Sequence, residues 1–190
     1  MRILGIDPGY ERLGIAIMEK RENKDFLVYS ECFQTSKNID FHERLLLIGN
    51  RIEEIIKTHR PDTLAIETLM FNTNQKTAMN VAEARGVVLF QAIKNKLSVF
   101  EYTPLQIKIA ITGYGRSDKN QVTEMVKRLV KTPASVRPLA DYGAARQTKP
   151  NPPPSPKATG GEVKDDEYDA IACAITCFAS YKVQNINIEK

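Results

Sequence analysis

Hydrophobic and polar positions change period several times along the chain. Residues 2–7 (Arg-Ile-Leu-Gly-Ile-Asp) alternate weakly and are rich in β-formers, and Pro8-Gly9 stops them. Residues 13–18 predict a second strand, the charged stretch Glu19–Asp25 a turn, and residues 26–34 a third strand. Three short strands with tight connections predict an antiparallel meander. The period then becomes helical. Phe41, Leu45, Ile48, Ile52, Ile55 and Ile56 share one face, Asp40 with Glu43 matches a capping box, and His59-Arg60-Pro61 ends the run. Residues 63–67 (Thr-Leu-Ala-Ile-Glu) predict a short buried strand, 75–95 a helix and 98–102 a fifth strand. Pro104 opens a short helix over Leu105–Ala110, and Gly113-Tyr114-Gly115 reads as a loop. Asp118 with Gln121 predicts a second capping box at the start of another helix.

Residues 133–163 break the pattern, since seven of the ten prolines fall there and Thr159-Gly160-Gly161 follows. This stretch predicts a flexible, partly polyproline insert. A final helix is expected from Asp165 to about Tyr181, with Ala170, Ile171, Ala174, Ile175 and Phe178 inward, and residues 182–190 as a tail. The expected order is β-β-β-α-β-α-β-α-α-α. It predicts an α/β domain over residues 1–181, with a mixed five-stranded sheet and helices on its faces.

Composition adds bounds. The 190 residues are 42% hydrophobic and 26% charged, enough for one packed core. No stretch approaches the roughly 18 apolar residues of a membrane span. The N-terminus lacks signal-peptide features, and Cys32, Cys173 and Cys177 form no disulfide framework. Cys173 and Cys177 are expected as buried thiols, and the protein as cytoplasmic. Charge is uneven. Residues 1–71 carry 10 Lys or Arg against 12 Asp or Glu, residues 104–132 carry 6 against 2, and residues 164–190 carry 3 against 5. The basic middle suits a polyanion, and the acidic ends suit cations.

Carboxylates fall at element ends. Asp7 closes the first strand, Glu67 closes the fourth, and Asp166 and Asp169 share one face of the last helix's first turn. If the first and fourth strands are parallel neighbours, Asp7 and Glu67 emerge at one edge, where α/β sheets place their sites. Such carboxylates repel unless hard cations such as Mg2+ or Mn2+ join them. Two such ions about 3.5–4 Å apart can clamp an in-line phosphodiester displacement. Each residue also has a plainer explanation: a common Asp-Pro-Gly turn, a solvated strand end, and acidic residues favouring a helix macrodipole. Lys108 and Lys119 flank the Gly-rich loop beside Arg116, a cluster suited to phosphate oxygens or to plain solvation.

Several runs together resemble the RuvC-type Holliday junction resolvases, which have the RNase H-like fold. They are Ile3-Leu4-Gly5-Ile6-Asp7-Pro8-Gly9, Ala65-Ile66-Glu67, Phe71-Asn72-Thr73-Asn74 and Ala82-Glu83-Ala84-Arg85-Gly86-Val87. Phe100-Glu101-Tyr102-Thr103-Pro104, Gln106-Ile107-Lys108, Gly113-Tyr114-Gly115 with Lys119, and Asp166-Glu167-Tyr168-Asp169-Ala170-Ile171-Ala172 follow in the same order. The resemblance implies Asp7, Glu67, Asp166 and Asp169 as catalytic metal ligands for two Mg2+ ions per site, with Mn2+ as a substitute. It implies DNA contacts by Met70, Phe71, Asn74, Lys76, Arg85, Lys108, Arg116 and Lys119. It implies a homodimer that nicks two strands of a four-way DNA junction symmetrically in recombination and repair, with the RuvA–RuvB branch-migration complex as partner. The insert at 133–163 departs from the family pattern. Two rivals are another RNase H-like nuclease acting on structured RNA and a non-catalytic junction-binding protein. An actin-type or sugar-kinase ATPase is disfavoured, because the chain has room for one lobe and no second phosphate loop.

Overall fold

The computed structural model describes residues 1–22, 24–69, 75–130 and 165–186. The insert at 133–163 and the candidates Met70, Phe71 and Asn74 lie outside the described residues, as does the side chain of Lys76.

The elements follow the expected order: β1 (Arg2–Asp7), β2 (Arg12–Arg21), β3 (Lys24–Gln34), α1 (Phe41–His59), β4 (Thr63–Glu67), α2 (Gln75–Lys94), β5 (Ser98–Tyr102), α3 (Pro104–Thr112), α4 (Lys119–Leu129) and α5 (Asp165–Ile186). They form a mixed sheet ordered β3-β2-β1-β4-β5. β1 pairs antiparallel with β2 and parallel with β4. β2 pairs antiparallel with β3, and β4 parallel with β5.

Alternation along the strands sorts the core into two layers. Ile3, Ala16, Met18, Ala65 and Tyr102 pack against α3, α4 and α5. Leu4, Ile6, Leu13, Ile15, Leu64 and Ile66 pack on the other face, against α1 and α2. Cys173 and Cys177 are free and buried, as expected. Among the described residues, no helix is long and apolar enough to cross a membrane.

Local chemistry departs from the sequence reading at four places. The stretch Glu19–Asp25, expected as a turn, largely extends the β2–β3 ladder, with Lys20 opposite Asp25 and Arg21 opposite Lys24. A Lys20–Asp25 ion pair of 3.0 Å joins the strands there, and Glu22 turns the chain at φ 47°. Asp40 does cap α1, but it accepts from the His42 N–H at 2.8 Å and no reciprocal Glu43 bond is recorded. α3 opens on a full capping box from Thr103 and Gln106, which the T-P-L-Q run contains and the sequence reading passed over. α5 continues past Tyr181 to Ile186. The Asp118–Gln121 box forms as expected.

Candidate active site

Strand alternation puts the chemistry on one face. Ile3 and Gly5 of β1 look towards α5, so Asp7 does too. Ala65 of β4 faces the same way, and with it Glu67. The parallel register sets Ile6 beside Ile66, so Asp7 and Glu67 leave adjacent strands at their carboxyl ends. The condition set by the sequence reading is therefore met.

Two glycines let α5 come close enough to deliver its carboxylates. A Cβ on Gly5 would lie 2.9 Å from Ala174 Cβ and 3.2 Å from the Ala170 carbonyl carbon. A Cβ on Gly14 would lie 2.8 Å from the Asp166 carbonyl carbon and 3.1 Å from Asp7 Cβ. All four distances fall inside ordinary carbon contact of about 3.5–4.0 Å. No other residue has so little side chain, so glycine is required where this helix touches the sheet. The first turn of α5 is thereby set over the end of β1.

The electrostatics follow from that placement. Burial pushes the Asp7 carboxyl well above its usual range, and Glu67, Asp169 and Asp166 push it further. Glu67 is pushed up to about 7, first by burial and then by Asp169, while Lys119 and Lys108 oppose the shift. Burial also raises Asp169, against the pull of Lys119. Each carboxylate thus lies within the others' field. Two of them are drawn to cations of the chain. Asp166 pairs with the Arg12 guanidinium and accepts from the Cys32 thiol at 3.3 Å. Asp169 pairs with Lys119 at 3.1 Å, and Asp165 lies 3.6 Å from the same ammonium. Among the described residues, no three acidic, histidine or cysteine side chains converge tightly enough to hold a metal ion as they stand. The donor set nonetheless fits a hard divalent cation. It is all oxygen, it carries excess negative charge in partial burial, and protons are its alternative neutraliser.

The basic candidates separate. Lys119, at the first turn of α4, and Lys108, on α3, act on Glu67 from the α5 side of the sheet. The loop between α3 and α4 is tied by Thr112 Oγ1 with Ser117 Oγ at 2.7 Å, and by Ser117 Oγ donating to the Tyr114 carbonyl at 2.8 Å. Arg116 is exposed on that loop. Arg85 belongs elsewhere. It reaches from α2, on the opposite face, to the Glu101 carboxylate and to the Glu67 carbonyl at 3.3 Å. Its side chain is only 17% exposed, so it braces the ends of β4 and β5. Arg12 and Cys32 were missed by the sequence reading. Their one signal was position, since both share the face of Gly14 in the β2–β3 register, and that register is not readable from a single strand.

A family model described as crossover junction endodeoxyribonuclease RuvC matches residues 3–145. A protein of that description from Desulfitobacterium hafniense (strain DSM 10664 / DCB-2) is 47% identical over 130 residues, 68% of this chain and 79% of the relative. One from Caldicellulosiruptor saccharolyticus is 46% identical over 132 residues, with the same coverage. Among solved structures, Thermus thermophilus RuvC in complex with Holliday junction substrate aligns with a TM-score of 0.73 at 28% identity, covering 96% of each chain.

Proposed function

The chain belongs to the RuvC family of crossover junction endodeoxyribonucleases, and from that premise we propose that it resolves four-way DNA junctions by hydrolysing phosphodiester bonds at the Asp7–Glu67–Asp166–Asp169 cluster. The observation that carries this reading is the gathering of carboxyls from two parallel strand ends and one helix start, where burial first and neighbouring carboxylates second raise Asp7, Glu67 and Asp169.

Those four residues would hold divalent cations, two Mg2+ per site with Mn2+ as a substitute. When bound, such ions activate water as a nucleophile and neutralise charge on the leaving oxygen. The rest falls to the chain's own groups. Lys108 and Lys119 sit where a phosphate oxygen approaching Glu67 and Asp169 would meet an ammonium. Lys119 can exchange a carboxylate partner for a phosphate without moving far. Arg116, exposed on the bonded α3–α4 loop, is a further proposed phosphate contact. Arg85 holds the Glu67 backbone from behind, a positioning task beside its proposed DNA contact. Met70, Phe71 and Asn74, between β4 and α2, and Lys76, at the start of α2, remain proposed contacts to the junction.

A second copy of the chain completes the reading. Met79, Phe90 and Ile93 are 64%, 64% and 66% exposed, and their spacing puts them on one stripe of α2. Leu46 of α1 is 63% exposed beside that layer. Exposed apolar side chains gathered on one stripe support a protein–protein interface there. A homodimer would offer two sites to the two strands of a symmetric junction. The cytoplasm and the RuvA–RuvB complex are the proposed setting and partner.

The test is Asp7→Asn with a labelled four-way junction in Mg2+. Nicking should fall by at least a hundredfold while junction affinity changes less than threefold. Wild-type nicking by this variant overturns the reading, as does equal cleavage of junction, plain duplex and RNA hybrid by the wild type.

A further inference from the structure

Arg12 stands apart from the other charges of the cluster. It sits at the start of β2, on the face that β2 shares with Gly14, and its guanidinium pairs with Asp166. The Arg12 side chain is 50% exposed, so it is free to leave, whereas Asp166 is 19% exposed and held by its backbone over Gly14. The same carboxylate oxygen accepts from the Cys32 thiol at 3.3 Å. Asp166 is therefore satisfied before any external cation arrives. Asp7 and Glu67 feel chain cations only as weaker opposing fields, from Lys119 and Lys108. The four carboxylates thus divide into a pair on the strands with no ion-pair partner of their own and a pair on α5, Asp169 held by Lys119 at 3.1 Å and Asp166 by Arg12.

We propose that Arg12 is a positioning residue that acts as a built-in counter-ion for Asp166, which a divalent cation must displace before Asp166 can serve as its ligand. The inference rests on the metal-binding reading of the cluster. Arg12 holds the Asp166 carboxylate on the β2 side of the site while the cluster lacks external cations, and relieves its repulsion with Asp7 and Asp169. It also weakens cation binding there by competition. An incoming ion must break a charge-assisted hydrogen bond and overcome a nearby positive charge. Arg12→Gln removes the charge at nearly constant volume, and the gain in ion affinity should be about three- to tenfold, the scale of a partly exposed ion pair.

The experiment measures Mn2+ binding to the full chain without DNA, by the loss of the free Mn2+ paramagnetic resonance signal, together with thermal unfolding over the same titration. Wild type, Arg12→Gln, Arg12→Lys and Asp166→Asn are compared, with Arg21→Gln as a control for net charge at the far end of β2, where Arg21 pairs with Glu19. Arg12→Gln should bind Mn2+ three- to tenfold more tightly. It should unfold at a lower temperature without Mn2+ and gain more from Mn2+ than the wild type does. Arg12→Lys should restore wild-type affinity, and Arg21→Gln should leave it unchanged. In an Asp166→Asn background, Arg12→Gln should have no further effect. Unchanged affinity in Arg12→Gln, or equal tightening in Arg21→Gln, overturns the role of Arg12 and leaves the metal cluster standing. Absence of any Mn2+ binding by the wild type overturns the metal reading and this inference together. A variant that unfolds at lower temperature by the same amount at every Mn2+ level shows Arg12 to be a structural brace only, which also overturns the proposal.

Discussion

Replacing Gly14 with alanine puts one methyl group in place of a hydrogen, yet it strikes the point on which the site depends. The new Cβ would lie 2.8 Å from the Asp166 carbonyl carbon and nearer still to its oxygen. Regaining carbon contact at about 3.5–4.0 Å requires the first turn of α5 to retreat by roughly 1 Å. The helix resists, because Ala170, Ala172, Cys173, Ala174 and Cys177 are fully buried, and Phe178 nearly so. Overpacking of this kind costs about 1–3 kcal/mol. At about 2–4 °C per kcal/mol for a domain of this size, Tm should fall by roughly 2–12 °C. The loss of activity should be larger in proportion. Asp166 moves with its backbone while Asp7 stays on β1, and a shift of about 1 Å in a reacting constellation costs on the order of a hundredfold in rate. Unfolding followed by circular dichroism and single-turnover nicking of a four-way junction measure the two effects. A Gly14→Ala protein with Tm within 1 °C of wild type and nicking within threefold would refute the argument that close approach of α5 to β2 builds the site.

The remaining predictions concern charge and assembly. Glu67 titrates at about 7 in the folded chain against an ordinary 4.5, so the folded state holds this proton more tightly than the unfolded state does. Its contribution to stability is complete below pH 4.5 and is lost as pH rises towards 7. Without divalent ions, the Tm of Glu67→Gln minus that of wild type should therefore grow across this interval; a constant difference would contradict the shift. Phe90→Asp should convert a dimer to monomer in sedimentation velocity while leaving the circular dichroism spectrum intact, because the side chain is 64% exposed in the single chain. A wild type that sediments as a monomer, or a variant that still dimerises, would remove α2 as the interface.

The residues of the cluster were legible in the sequence because each ends an element, and element ends are written locally. Pro8-Gly9 stops β1 just after Asp7, and an apolar run stops at Glu67. The helical period of residues 170–178 fixes the face of Asp166 and Asp169. Arg85 shows where this reasoning stops. The family resemblance implies a nucleic-acid contact for it, but its ion pair with Glu101 depends on which face of the sheet α2 covers. The ion pair of Lys119 with Asp169 was equally unreadable, because it depends on α4 packing on the face that carries Asp169.

Period, caps and turn residues determined the order and kind of the elements, since each of these signals spans a few residues and needs no partner. The pairing of β1 with β4, the seating of α5 over Gly5 and Gly14, and the capture of Asp166 by Arg12 were decided only by the tertiary structure. Those contacts join residues roughly 60 to 170 positions apart. Side-chain burial and charge pairing depend on distance in space, which a linear pattern does not contain.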